Sequence, residues 1–164
     1  MSSPLPHRAF VALGSNLAEP EAQVKLAFAA LARLPQTRLL AQSSLYRSAP
    51  VGYAEQPDFI NAVALIETEI AAHDLLLSLL EIERRFGRTR DFRNAPRTLD
   101  LDLLLYGDLT LHEAGLTLPH PRMHERAFVL LPLLEIAPDC AIPGKGLAAD
   151  WLAQVGEQAI ARVA

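Results

Sequence analysis

Cysteine is nearly missing from this chain: Cys140 is the only one, which excludes an internal disulfide and any cysteine-built zinc cluster. A chain without disulfides agrees with a reducing compartment. Long hydrophobic runs are missing too. The two longest, Leu75 to Leu80 and Phe128 to Leu134, are interrupted and fall far short of a membrane span. The stretch from Met1 to His7 has no apolar run of signal-peptide length, so the expectation is a cytoplasmic protein. Nor is there an excess of charge of one sign. A net charge of -4 gives no ground for a nucleic-acid coat or a polybasic membrane surface, and no obligate protein partner is implied. Internal repeats and low-complexity tracts are also lacking. A Walker A sequence is absent as well. Pro143-Gly144-Lys145-Gly146 lacks the first glycine, the Ser or Thr and a preceding strand, and reads as a surface turn.

What remains is a globular balance of 51% hydrophobic and 21% charged residues over 164 positions, the size of one domain spanning 1–164. Arg8 to Leu13 reads as a buried strand ended by Gly14-Ser15-Asn16. From Pro20, Val24, Phe28, Leu31 and Leu34 recur at helical spacing until Pro35. Leu39 to Arg47 is a strand, and Pro50, Gly52 and Pro57 constrain the loop after it. Phe59 to Glu69 is a long strand. A second helix starts near Asp74, buries Leu75, Leu79, Ile82 and Phe86, and exits at Gly87. Arg88 to Arg97 has no apolar period and reads as a loop, followed by a strand from Thr98 to Tyr106. Helices are expected over Glu125 to Glu135 and around Ala148 to Ile160. This order predicts an α+β fold: a ferredoxin-like β-α-β-β-α-β core with a mainly antiparallel sheet and additional C-terminal helices.

The sharpest chemical feature is Arg97-Thr98-Leu99-Asp100-Leu101-Asp102-Leu103-Leu104. Side chains alternate along a strand, so Asp100 and Asp102 share one face, about 7 Å apart, while the leucines between them enter the opposite layer. Two carboxylates in such an apolar strand repel each other in a low dielectric. Magnesium relieves this, because it takes one or two carboxylates and completes its shell with water and substrate phosphates. An amphipathic strand with a solvated acidic face also accounts for a bare Asp-x-Asp. The arginines just before it favour the metal. Of the 13 arginines, Arg84, Arg85, Arg88, Arg90, Arg93 and Arg97 crowd into one stretch, and Arg122 and Arg126 follow Pro119-His120-Pro121. Forked guanidinium donors suit phosphate, and phosphoryl transfer depends mainly on positioning and charge neutralisation. His120, held between two prolines, is either a triphosphate contact together with Arg126 or a turn histidine. Asn61 interrupts an apolar strand, and a buried amide needs a partner.

Five segments together resemble the 6-hydroxymethyl-7,8-dihydropterin pyrophosphokinase family. They are Val11-Ala12-Leu13-Gly14-Ser15-Asn16-Leu17, Ser44-Leu45-Tyr46-Arg47-Ser48-Ala49-Pro50, Gln56-Pro57-Asp58-Phe59-Ile60-Asn61, Arg93-Asn94-Ala95-Pro96-Arg97-Thr98-Leu99-Asp100-Leu101-Asp102 and Leu116-Thr117-Leu118-Pro119-His120-Pro121. The resemblance implies transfer of the β,γ-pyrophosphoryl group of ATP to the pterin hydroxymethyl oxygen, with release of AMP, in folate biosynthesis. It implies ATP as co-substrate and two magnesium ions held by Asp100 and Asp102. Arg88 and Arg97 match the catalytic-loop arginines, with Arg90 and Arg93 assisting. His120 and Arg126 match triphosphate contacts, and Leu103, Leu116 and Thr117 fall at the adenine pocket. The pterin is expected between Phe59 and Phe128, which from the residues alone also read as core. Asn61 is expected to bind its amide-like edge, aided by Ser48, Ala49 and Val51. Departures from familiar members are Asn94-Ala95 in place of Trp-Gly, Pro121 after the histidine, and Leu80 where some have Gln. The rival readings are a nucleotidyltransferase or simple kinase, and a catalytically silent nucleotide- or protein-binding module.

Overall fold

The computed structural model describes residues 6–16, 19–49, 57–87, 99–155, 158 and 160–163. Its centre is built from β1 (His7–Ser15), α1 (Pro20–Ala32), β2 (Thr37–Gln42), β3 (Tyr46–Ser48), β4 (Phe59–Thr68), α2 (Ala72–Arg85) and β5 (Asp100–Tyr106). The remaining elements include the hairpin of β6 (Leu111–Glu113) and β7 (Leu116–Leu118), a 3-10 turn at Met123–Glu125, and α3 (Ala127–Ile136). They end with the hairpin of β8 (Ala141–Ile142) and β9 (Gly146–Leu147), α4 (Ala148–Leu152) and β10 (Ile160–Arg162). The main sheet runs β10-β3-β4-β1-β5, with β2 also paired to β4. Every pairing in it is antiparallel. This is the expected α+β arrangement, with both core helices on one face.

Strand alternation sorts the side chains into two cores. Ala9, Val11 and Leu13 of β1, Ile60, Ala62, Ala64 and Ile66 of β4, and Leu101 and Leu103 of β5 pack on Val24, Phe28 and Leu31 of α1 and on Leu75, Leu79 and Ile82 of α2. On the other face, Phe10, Ala12, Val63 and Leu104 meet Met123 and Val129, Leu130 and Leu133 of α3. β4 is therefore buried on both sides, which explains its nearly unbroken apolar run. Pro20 opens α1, where its fixed φ suits a first helical position, and Gly87 follows α2 at φ 81°. α3 is apolar nearly all round, as a helix enclosed by the fold must be.

Three expectations need correction. Leu39 to Arg47 is two strands, because Ser43 interrupts it: its N–H donates to Val63 O, and its hydroxyl accepts the Val63 N–H, each at 2.9 Å. A side-chain oxygen thus does the work of a ladder carbonyl, and the backbone is free to step sideways. The helix over Glu125 to Glu135 is split at Arg126, whose extended backbone (φ -123°, ψ 111°) separates the 3-10 turn from α3. The last helix ends at Leu152, and Ile160–Arg162 is a strand that covers the outer edge of β3. An uncovered edge leaves a row of unpaired backbone groups, so pairing there outweighs continuing a short helix. Pro143-Gly144-Lys145 is indeed a turn, between β8 and β9.

Candidate active site

The face of the sheet that carries α3 holds the predicted chemistry at one end. Register sets it out in rows. Gly14 of β1 lies opposite Asp100 of β5 on one side and Asn61 of β4 on the other. Ala12 lies between Asp102 and Val63 in the same way. The middle strand thus presents only a glycine and an alanine, leaving a shallow floor between the carboxylates and the amide. The glycine keeps this floor open: a methyl group placed there would sit in contact with its neighbours, 3.4 Å from Asn61 Oδ1 and 3.9 Å from a Phe59 ring carbon. Asn16, two residues on, donates to the Pro57 carbonyl at 3.2 Å and holds the approach to β4.

On the amide side, Asn61 is buried and donates from Nδ2 to the Ser48 hydroxyl at 2.6 Å. Among the described residues Ser48 is its side-chain partner, so a second N–H and Oδ1 of the carboxamide remain for a ligand. Phe59 is half-buried opposite Ser48 across the β3–β4 pair, and exposed Ala49 follows β3. Phe128 is half-buried in the first turn of α3, with the Arg126 guanidinium 5.5 Å from its ring centroid. Behind this wall, Glu135 at the far end of α3 accepts from the Ser44 N–H and hydroxyl, each at 3.0 Å, and from Tyr46 OH at 2.7 Å. Burial, then the hydrogen bond and charge of Glu135, push the Tyr46 phenol up to about 12, against the opposing charge of Arg162. Burial alone would raise the Glu135 carboxyl, but the hydrogen bonds from Tyr46 and Ser44 and the charge of Arg162 outweigh it and hold it below its ordinary value. Sequence reasoning missed this clamp.

On the carboxylate side, Asp100 and Asp102 are both half-buried, while Leu99, Leu101 and Leu103 are buried in the helix-facing core, as alternation predicts. Two carboxylates on one strand face are a donor set suited to magnesium. Among the described residues no group of three or more His, Cys, Asp or Glu forms a closed metal cage. His120 stands nearby. Burial chiefly, then the charge of Arg126, opposed by Asp100 and helped by Arg122, brings its pKa down to about 4. Its backbone N–H donates to Leu104 O at 2.9 Å, and its Nδ1 accepts the Arg122 N–H at 3.2 Å. The imidazole is therefore neutral at pH 7 and its proton sits on Nε2, a donor ready for an anionic oxygen.

Leu103 and Leu116 are core side chains, whereas Thr117 of β7 is half-buried and points away from that core. Arg88, Arg90, Arg93, Arg97 and Val51 lie outside the described residues, as do Asn94 and Ala95. A second missed residue is Glu83. It is 3% exposed on α2, and its carboxylate accepts the Leu101 N–H at 2.6 Å, between the two aspartates. The signal was present: Glu83 continues the buried ladder Leu75, Leu79 at steps of four, where an acid is out of place.

The profile of the 7,8-dihydro-6-hydroxymethylpterin-pyrophosphokinase (HPPK) family matches residues 10–138. The 2-amino-4-hydroxy-6-hydroxymethyldihydropteridine pyrophosphokinase of Pseudomonas aeruginosa is 54% identical over 136 residues, covering 83% of this chain and 84% of its own. The protein of the same name from Haemophilus influenzae is 45% identical over 149 residues, covering 91% and 93%. Among solved structures, HPPK-DHPS of Plasmodium falciparum superposes with a TM-score of 0.72 at 12% identity. That match covers 91% of this chain and 43% of the longer one, and shows the fold.

Proposed function

The chain belongs to the 7,8-dihydro-6-hydroxymethylpterin-pyrophosphokinase family, and from that membership we propose that it transfers a pyrophosphoryl group from ATP to 6-hydroxymethyl-7,8-dihydropterin in folate biosynthesis. The observation that carries the reading is the row Asp100, Gly14, Asn61 across three strands, which sets a carboxylate pair and a ligand-ready amide on one small-residue floor. The pterin hydroxymethyl oxygen attacks the β-phosphorus and loses its proton, the bond from that phosphorus to the α-phosphate bridging oxygen breaks, and AMP departs. Asn61, oriented by Ser48, binds the amide-like edge of the pterin, with Ala49 and Val51 beside it and Phe59 and Phe128 as the stacking walls.

His120 donates from Nε2 to a phosphate oxygen, and Arg126 adds charge beside it. Arg88 and Arg97, assisted by Arg90 and Arg93, neutralise the triphosphate, and Leu103, Leu116 and Thr117 border the adenine. Asp100 and Asp102 hold magnesium, two ions in this reading. Bound there, magnesium supplies Lewis-acid neutralisation of the phosphate oxygens. The fold acts as one domain over 1–164 with ATP and the pterin as its partners, and a cytoplasmic location accords with the lone cysteine. Among the described residues no helix is long and apolar enough to cross a membrane.

The test is an incubation with ATP, magnesium and the pterin alcohol, followed by separation of the nucleotides. Equal amounts of AMP and pterin diphosphate are expected; ADP, or no product, overturns the reading. Asp102→Ala is expected to lower kcat by at least about a thousandfold with the melting temperature nearly unchanged.

A further inference from the structure

Among the described residues β5 is the outermost strand of its side of the sheet, so one row of its backbone groups faces no other described strand. Along that strand, the Leu101 N–H, flanked by Asp100 and Asp102, donates to the Glu83 carboxylate at 2.6 Å. Glu83 is 3% exposed, and it projects from the last turn of α2, a helix anchored in the core by Leu75, Leu79 and Ile82. A carboxylate is the costliest acceptor to bury, and it stands beside a strand that already carries two more. What it adds is a shorter, stronger, charge-assisted bond and a deeper negative field around Asp100 and Asp102.

We propose that Glu83 is a positioning residue for the divalent cation: it holds the Leu101 backbone and so sets the direction and spacing of the Asp100 and Asp102 side chains. The proposal rests on the reading of those aspartates as metal ligands. Glu83 acts from the face opposite the cation, through the peptide that joins the two ligand residues. The pterin wall is formed from β3, β4 and α3, whereas Glu83 on α2 grips β5. Loss of the Glu83 grip therefore separates cation binding from pterin binding.

The experiment measures Mn2+ binding by electron paramagnetic resonance in the presence of a non-hydrolysable α,β-methylene ATP analogue, with the melting temperature recorded for each variant. Pterin affinity is read separately by fluorescence titration. Glu83→Leu, which removes the acceptor, is expected to weaken Mn2+ binding by about 10-fold to 100-fold, as loss of outer-sphere support typically does. Glu83→Gln, which keeps an acceptor oxygen, is expected to restore much of that loss. Pterin affinity is expected to stay within about twofold in both, since the pterin side is held independently. Wild-type Mn2+ affinity in a folded Glu83→Leu overturns the proposal, as does an equal loss of Mn2+ and pterin affinity, which marks a general structural defect. Should Glu83→Leu fail to fold, Glu83→Met, which also lacks an acceptor oxygen, decides: weaker Mn2+ binding at a native melting temperature supports the proposal, and unchanged binding overturns it. Asp102→Ala is the control. If it leaves Mn2+ binding intact, the metal-site reading falls and takes the proposal with it. If it abolishes binding while the Glu83 variants bind normally, only the proposal falls.

Discussion

Gly14 and His120 show how much of the site depends on single residues. A methyl at position 14 would touch Asn61 Oδ1 at 3.4 Å, so Gly14→Ala keeps the amide on its Ser48 contact but fills the floor beside it. The expected result is a rise of about tenfold in the KM for pterin, with nucleotide affinity unchanged, as about 1.4 kcal/mol of lost ligand contact on the filled floor implies. Steady-state kinetics with each substrate varied in turn will check it. His120 gives a pH signature. The folded chain keeps it neutral down to about pH 4, whereas an ordinary histidine protonates near 6.5. Between those values the unfolded state binds the extra proton, so stability falls as pH drops through that window and is unaffected by this residue above it. A bound triphosphate reverses the electrostatics, and the His120 pKa is expected to rise on adding magnesium and the ATP analogue. Proton NMR titration of the imidazole with and without nucleotide is the measurement, and no movement would argue against His120 as a phosphate contact.

Among the elements, α3 is tied to β3 and to the segment leading into it by one carboxylate. Glu135 receives Ser44 and Tyr46, so the helix carrying Phe128 is braced against the strand carrying Ser48. Its pKa is depressed, so its contribution to stability is present above the ordinary carboxyl value of 4.5 and is lost as pH falls through the lower folded value. Glu135→Gln is expected to lower the melting temperature at pH 7 and to remove that part of the acid destabilisation, seen in thermal melts between pH 7 and pH 3. Much of the element order is legible in the sequence, because β1, α1, α2 and β5 each carry a period that matches the face they bury and β4 is a long apolar run buried on both faces. Asp100 and Asp102 are legible for the same reason. Glu83 is legible only as an acid on the buried ladder of Leu75 and Leu79; its role is not, because its partner is a backbone N–H on a distant strand. The Ser43 break and the β10 strand escape likewise. One depends on a hydroxyl replacing a ladder carbonyl, the other on an open edge that exists only once the sheet has formed.

For the molecule as a whole, the sheet closes from both ends of the described chain: β1 lies near its middle and β10 caps the β3 edge. The Val163 N–H donates to Leu45 O at 2.8 Å, so the Ala161 N–H, two residues earlier, points to the same side. Ala161→Pro removes that donor. It is expected to cost about 1 kcal/mol, roughly 2–4 °C in melting temperature, and to weaken pterin binding more than nucleotide binding, since β3 carries Ser48 and β5 does not. Calorimetry and the two substrate titrations will separate these effects. The same arrangement imposes a timetable on synthesis. Every other strand of the sheet leaves the ribosome before Ile160–Arg162, and until that segment emerges the nascent protein carries β3 as an open, adhesive rim. Slow translation of the stretch between α4 and β10 thus lengthens the interval in which newly made chains can pair with each other, a vulnerability that a native-state melting curve never registers.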